Sequence, residues 1–134
     1  MQTDRQYDLF AVGVMCLTTL IAILFWPELP SKMAIHWSGG TPNNVVAKPL
    51  AVFGLLALGI GTVLFVRLAP PSITSTPGGP NLTVLFLGVV IAWVQGIVIV
   101  WNLGYQFNIG LAVLPVLILT GLLLAYAYTR PPSQ

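Results

Sequence analysis

The side chains able to do chemistry are few, and they gather in one stretch. Of the nine Asp, Glu, Lys, Arg and His residues in the chain, Glu28, Lys32, His36 and Lys48 fall between residues 27 and 48. His36 and Trp37 together offer a hydrogen-bonding ring beside a flat apolar face, the chemistry that recognises a peptide or a lipid headgroup. Three readings of His36 stand side by side: a structural histidine bonded to loop backbone, a recognition residue, and a metal or catalytic group. A catalytic zinc needs three protein ligands, and a lone His with Glu28 eight residues away does not supply them. No nucleophile, base and orienting group can be assembled. The expectation is therefore a protein without catalytic residues, metal or cofactor, whose tentative ligand-binding set is Glu28, His36, Trp37 and Lys48. The lone thiol, Cys16, lies in an apolar run and reads as a small buried hydrophobe.

Composition says what medium must hold that stretch in place. The 134 residues are 57% hydrophobic and 6% charged, with a mean hydropathy of +0.92; an ordinary soluble domain carries about a quarter charged residues. Eight charged side chains cannot cover a water-soluble surface. The bilayer is the solvent expected for most of the chain. The basic residues, at positions 5, 32, 48, 67 and 130, are scattered, which excludes the electrostatic footprint of a nucleic-acid binder.

Four apolar runs of spanning length follow, at 9–26, 50–68, 82–101 and 109–128, each long enough at ~1.5 Å per residue to cross ~30 Å of hydrocarbon. Their limits carry helix punctuation. Pro27 and Pro30 end the first, Pro49 opens the second, and Pro70 and Pro71 stop it. Asn81 and Asn108 are placed to cap the third and fourth; Asn102 and Gly104 give backbone freedom after the third; Arg130 with Pro131 and Pro132 closes the last. The first run is too long for a signal core, is flanked by Asp4 and Asp8, and lacks a small-residue cleavage site, so it reads as an uncleaved span. Trp26, Trp37, Trp101, Tyr105, Tyr126 and Tyr128 sit near the ends, as an interfacial belt requires. Arg5, Arg67 and Arg130 fall on one side and Lys32 and Lys48 on the other, which points to a cell-membrane protein with both termini cytoplasmic.

The expected fold class is all-α: a single membrane domain over residues 1–134, a four-helix bundle with an ordered extracytoplasmic loop at 27–48 between its first two helices. No Asp, Glu, Lys or His lies inside a span, and Arg67 is near enough to an end to snorkel, which argues against an ion-coupled transporter. Gln95 is the strongest interior polar residue. Its expected role is an interhelical hydrogen bond, and the carbonyl of Leu111, released by Pro115, is the acceptor at similar depth. Gly88, Ala92 and Gly96 form a small-residue row for close packing, with shorter rows at Ala57 and Gly61 and at Gly121 and Ala125; these faces suit the bundle or a homodimer seam. Thr18, Thr19, Thr62 and Thr120 can bond to carbonyls one turn earlier. Asn81-Leu82-Thr83 matches a glycosylation sequon, discounted because it abuts a helix on the expected cytoplasmic side.

In the loop, Met33 to Trp37 can run extended along the membrane surface, and Ser38 to Asn44 is dense in turn formers. Leu29-Pro30, Ile35-His36-Trp37, Gly40, Pro42 and Lys48, set between two spans, form a pattern that resembles the domain of unknown function (family 1648) of SdpI-type membrane proteins. The resemblance implies an ordered loop with Leu29, Pro30, Gly40 and Pro42 as its structural residues, and a role as immunity or signalling partner against secreted peptide toxins. Two departures bear on it. Members commonly place an acidic residue after Gly-x-Pro, where this chain has Asn43, which removes a carboxylate partner for His36 or Lys48. The longer members also carry a second half beyond these four spans, so their immunity and signal relay need not transfer. Lys48, at the outer end of the second helix, can meet a lipid phosphate or Glu28.

The reading is a non-enzymatic SdpI-like integral membrane protein that senses, or gives immunity to, an external peptide or envelope stress. Its partners are membrane lipid, an external peptide ligand, and a membrane protein or a second copy. The alternative is a small structural or assembly subunit of a larger membrane complex. A small multidrug-type exporter is disfavoured, because such exporters use an acidic residue in the first span and this one has none.

Overall fold

The computed structural model describes residues 2–74 and 78–129, with side chains over 4–73 and 78–129. The roles expected of Arg130, Pro131 and Pro132 lie outside the described residues. Four helices are long and apolar enough to cross a membrane: α1 (Gln2–Leu24), α2 (Lys48–Leu68), α4 (Gly79–Asn102) and α5 (Ile109–Thr129), with one helical turn, α3 (Pro71–Thr74), between α2 and α4. Pro49 occupies the first turn of α2, and the chain turns extended at Ala69, before Pro70. Asn108 caps α5 by accepting from the Leu111 N–H at 3.2 Å. Asn81 does not cap α4: Gly78, in the left-handed region at φ +84°, starts that helix earlier, with Pro80 in its first turn. Asn81 thereby lies inside the helix, with its side chain free to reach other elements.

The segment between α1 and α2 is more regular than an ordered loop. A 3-10 turn (Trp26–Glu28) leads into an antiparallel hairpin of β1 (Lys32–Ser38) and β2 (Thr41–Ala47), so the fold is mostly helical with a two-stranded sheet rather than all-α. Gly39 and Gly40, both at positive φ (+57° and +83°), make the tight turn, which needs left-handed backbone at both central positions. Asn43 and Asn44, expected in the turn, belong to β2.

Two clusters form the core. Ala22, Leu29, Met33, Ala51, Val52, Val98 and Ile99 pack at the hairpin end, and Ala11, Met15, Val63 and Val84 nearer the opposite end. Both are built by α1, α2 and α4. α5 contributes no buried residue; one polar tie to the others is the Trp93 indole N–H, which donates to the Ala112 carbonyl at 2.8 Å. The four-helix bundle expected from sequence is thus a three-helix core with a peripheral fourth helix. Cys16 is exposed, not buried.

Gln95, 1% exposed, joins the three core helices. It accepts from the Thr18 hydroxyl at 2.6 Å and donates to Thr19 Oγ1 at 2.9 Å and the Val52 carbonyl at 3.1 Å. Its partners lie on α1 and α2, not at Leu111, because α5 sits outside the core. At the end away from the hairpin, Arg67 donates twice to Asp8 Oδ1, at 2.9 and 2.7 Å, and once to Asn81 Oδ1 at 2.8 Å. Asn81 in turn donates to Asp4 Oδ1 at 2.8 Å.

The small-residue row splits. A Cβ on Gly88 would lie 2.6 Å from Ala11 Cβ and 2.7 Å from its Cα, whereas Gly61, Gly96 and Gly121 meet nothing within 4 Å. Gly88 therefore sets the approach of α4 to α1, while Ala92 and Gly96 line an apolar cavity of about 560 Å³ beside α5. Replacing Gly88 by Ala is expected to lower stability in detergent by about 1–3 kcal/mol, because backbone must move to admit the methyl. Gly96→Ala is expected to leave it unchanged, and thermal unfolding of the two variants checks the contrast.

Candidate functional site

The hairpin sits across the ends of α1, α2 and α4, and three contacts fix it there. The first is apolar. Met33, fully buried, projects from β1 into the core cluster beside Ala22, Leu29 and Val98, which follows from period-two alternation along a strand whose one face is packed. The second is an amide clamp. Asn102, at the last position of α4, accepts from the Ala34 N–H through Oδ1 at 2.9 Å and donates through Nδ2 to the Ala34 carbonyl at 2.9 Å. Nδ2 also donates to the Val98 carbonyl one turn back, at 2.7 Å, which holds the amide in position. The third is Lys48. Its Nζ donates to the Trp26 carbonyl at 2.9 Å and lies 5.0 Å from the centre of the Trp26 ring, while its backbone N–H donates to Ser31 O at 2.9 Å. Lysine so placed satisfies a carbonyl of the 3-10 turn that follows α1 and gains a cation–π contact.

The expected binding set is therefore divided. Lys48 is engaged with Trp26 and meets neither Glu28 nor the exposed side of the hairpin. Glu28 is exposed in the 3-10 turn and forms no ion pair among the described residues. Trp37 is half-buried, packed edge-on against Trp101 at 5.6 Å between ring centres, and Trp101 likewise against Phe107 at 5.8 Å. The Trp37 indole N–H is buried and finds no acceptor among the described residues, so packing alone orients the ring. His36 is exposed, and its Nδ1 pairs with Asn43 Oδ1 across the hairpin. Donation from Nδ1 leaves Nε2 as an outward acceptor. The amide at Asn43 thus supplies the hydrogen bond that a carboxylate could have supplied, without adding a charge.

Alternation along β1 turns His36 outward with Lys32 and Ser38, opposite the face of Met33, Ile35 and Trp37, and the register is irregular around it. The pairing runs Lys32 to Ala47, Met33 to Val46 and Ala34 to Val45, then shifts on either side of His36 before resuming at Trp37 and Pro42. Such an irregularity re-aims side chains relative to a regular strand. Of the structural loop residues, Leu29 is buried in the core, Pro30 is exposed, Gly40 makes the turn, and Pro42 stands opposite Trp37 at the exposed start of β2. Asn102 is the residue that sequence reasoning missed. An amide at the end of an apolar helix carried the signal, because the hydrogen-bonding groups of a strand laid over that end need a partner. Among the described residues no three His, Cys, Asp or Glu side chains converge on one point.

Comparison with known proteins places this arrangement. Residues 13–60 match the family model described as a domain of unknown function (DUF1648), a stretch covering the second half of α1, the hairpin and the first part of α2. Over 111 residues the chain is 27% identical to "Immunity protein SdpI" of Bacillus subtilis (strain 168), an alignment covering 79% of this chain and 52% of that protein. The chain spans about half the length of the curated relative it matches. No solved structure matches the chain.

Asn102→Leu keeps the bulk of the side chain and removes both bonds to Ala34. It is expected to cost about 1–3 kcal/mol and to free the hairpin while the helices persist. Amide hydrogen exchange at Ala34 and the near-ultraviolet signal of Trp37 and Trp101 check this, against helical circular dichroism as the control.

Proposed function

We propose that this SdpI-like, DUF1648-bearing multi-pass membrane protein senses, or gives immunity to, an external peptide or envelope stress through its hairpin, without enzymatic chemistry. One observation carries the reading: the hairpin is fastened on its inner side by Met33, Asn102 and Lys48 and left open on the other, where His36, Asn43 and Asn44 are exposed. A merely connecting loop needs none of these fastenings. A rigid scaffold that presents polar groups at a fixed place is how loops serve recognition. Similarity to a protein named for immunity supports the same direction. Arg67 lies at the end opposite the hairpin, while Lys32 and Lys48 lie at the hairpin end; the positive-inside preference then favours an outward-facing hairpin, cytoplasmic termini and residence in the cell membrane.

A second reading has its own observation. α5 has no buried residue and leaves an open apolar cavity beside Ala92 and Gly96, which suits a subunit packed into a larger membrane complex. Affinity purification from native membranes separates the two: a stoichiometric partner favours the subunit, and the protein recovered with lipid alone favours the sensor.

The first reading is tested in cells lacking the protein and complemented with wild type or with the His36→Ala, Trp37→Ala double variant, challenged with peptides secreted by competing strains. Loss of protection by about tenfold or more in peptide dose is expected for the double variant at equal expression, with a lowered melting temperature from the lost Trp37–Trp101 packing. A smaller loss at unchanged melting is expected for His36→Ala alone. Lys48→Ala is expected to lower stability before it alters protection, because its ammonium holds Trp26. Equal protection by the folded double variant and wild type would reject the hairpin as the recognition site.

A further inference from the structure

We infer that the free edge of β2 at Val45 is where the external peptide docks, adding to the hairpin as a third, extended strand. The inference rests on the proposed reading of the hairpin as a peptide site and specifies how the peptide is held. It begins from Ala34, whose N–H and C=O are both turned to Asn102 and hence away from β2. In an antiparallel ladder, directly opposed residues alternate between pairs that exchange both bonds and pairs that exchange none. Ala34 and Val45 are directly opposed, so theirs is a pair of the second kind, and the N–H and C=O of Val45 point away from β1. The neighbouring pairs agree. Lys48 donates to Ser31, a bonded position; Lys32 and Ala47 are then non-bonded, Met33 and Val46 bonded, and Ala34 and Val45 non-bonded.

Val45 therefore presents both backbone groups outward and Ala47, whose carbonyl opens α2, presents its N–H two residues on, the repeat along which an extended chain adds to a sheet edge. Val45 is 49% exposed, and its pairing with Ala34 leaves its N–H and C=O directed away from β1. The edge of β1 shows what such a position accepts: one amide, donating and accepting at once, supplied by Asn102. The edge of β2 offers the same pair of bonds to a peptide unit from outside. Thr41–Ala47 carries no charge, so recognition there reads backbone rather than charge.

A second copy fits this edge poorly. Antiparallel pairing of two β2 strands about Val45 would set Lys48 and Pro49, in the first turn of α2, against Pro42 and Thr41 of the other copy. A helix of ~10 Å diameter does not fit the ~4.8 Å spacing of strands, and Pro42 has no N–H to give. A single extended segment meets neither obstacle.

Val45→Pro deletes the outward N–H and touches no hydrogen bond within the protein; Val45→Ile keeps it. In the complementation assay with the low-molecular-weight peptide fraction of competitor culture supernatant, Val45→Pro is expected to lower protection about tenfold, and Val45→Ile to match wild type. Folded Val45→Pro that protects as wild type does, while the His36→Ala, Trp37→Ala variant fails, overturns strand addition and leaves the hairpin reading standing. Full protection by both variants removes both. Should Val45→Pro not fold, amide hydrogen exchange of wild type in lipid nanodiscs decides. Slowed exchange at Val45 and Ala47 on adding the same fraction is expected, and unchanged exchange overturns the inference. Val45→Cys chains that form a disulfide with one another in the absence of peptide also overturn it, by assigning the edge to a second copy.

Discussion

A polar group facing apolar surroundings must find a partner within the protein, and in this chain three side-chain amides on one helix tie the core together in this way. α4 presents Asn81, Gln95 and Asn102 at three depths. Asn81 joins Arg67 and, through its own N–H, Asp4, which ties the start of α1 to the end of α2. Gln95 spends donor and acceptor on Thr18, Thr19 and Val52. Asn102 takes both backbone groups of Ala34. Within lipid there is no hydrophobic gain in bringing apolar helices together, so packing and such bonds set which helices associate. α1 and α2 bear the partners of these amides and form the core with α4. α5 offers one carbonyl to Trp93 and remains at the side.

The sequence reading reached the four spans and nearly all their limits, because prolines and long apolar runs act locally and leave direct marks. It also reached the place of the ordered segment. It did not reach the hairpin as a sheet: Asn43 and Asn44 look like turn residues, and only pairing with β1 places them in a strand. Gln95 was recognisable as an interhelical bond, yet its partners were not, since the depth shared by two helices says nothing about which of them are neighbours. The expectation for Leu111 rested on depth and on Pro115, and the packing order of the helices overrode both. Asn81 shows the same limit. Its position suggested a cap, but Gly78 can start the helix earlier through a left-handed turn, and the amide is then spent on Arg67 and Asp4.

The candidate site was legible as a cluster of residue types and illegible as a division of labour. Lys48 and His36 look alike in sequence, each a titratable side chain in the one long segment between two spans. In the structure Lys48 faces inward to the Trp26 carbonyl and ring, whereas His36 faces outward beside Asn43. The difference comes from alternation along β1, which turns His36 from the packed face, and from the place of Lys48 in the first turn of α2. Spacing along one strand separates its two faces but does not say which is packed, and that is decided by Met33 in the core and by Asn102.

That dependence bears on the matched family segment. Residues 13–60 contain the hairpin and parts of the two helices it connects, but the amide that takes both hydrogen-bonding groups of Ala34 comes from the far end of α4, outside the match. The segment therefore does not by itself satisfy β1. Without α4, Ala34 would lose its partner, Met33 would lose Val98 and Ile99, and the outer edge of the hairpin would no longer be distinguished from the inner one. A surface that recognises anything must keep one edge closed while the other stays open, since two open edges on a two-stranded ribbon give a short sheet marginal stability and no fixed side for a ligand. α4 supplies that asymmetry. The least polar part of the molecule thus determines what its most polar part can present.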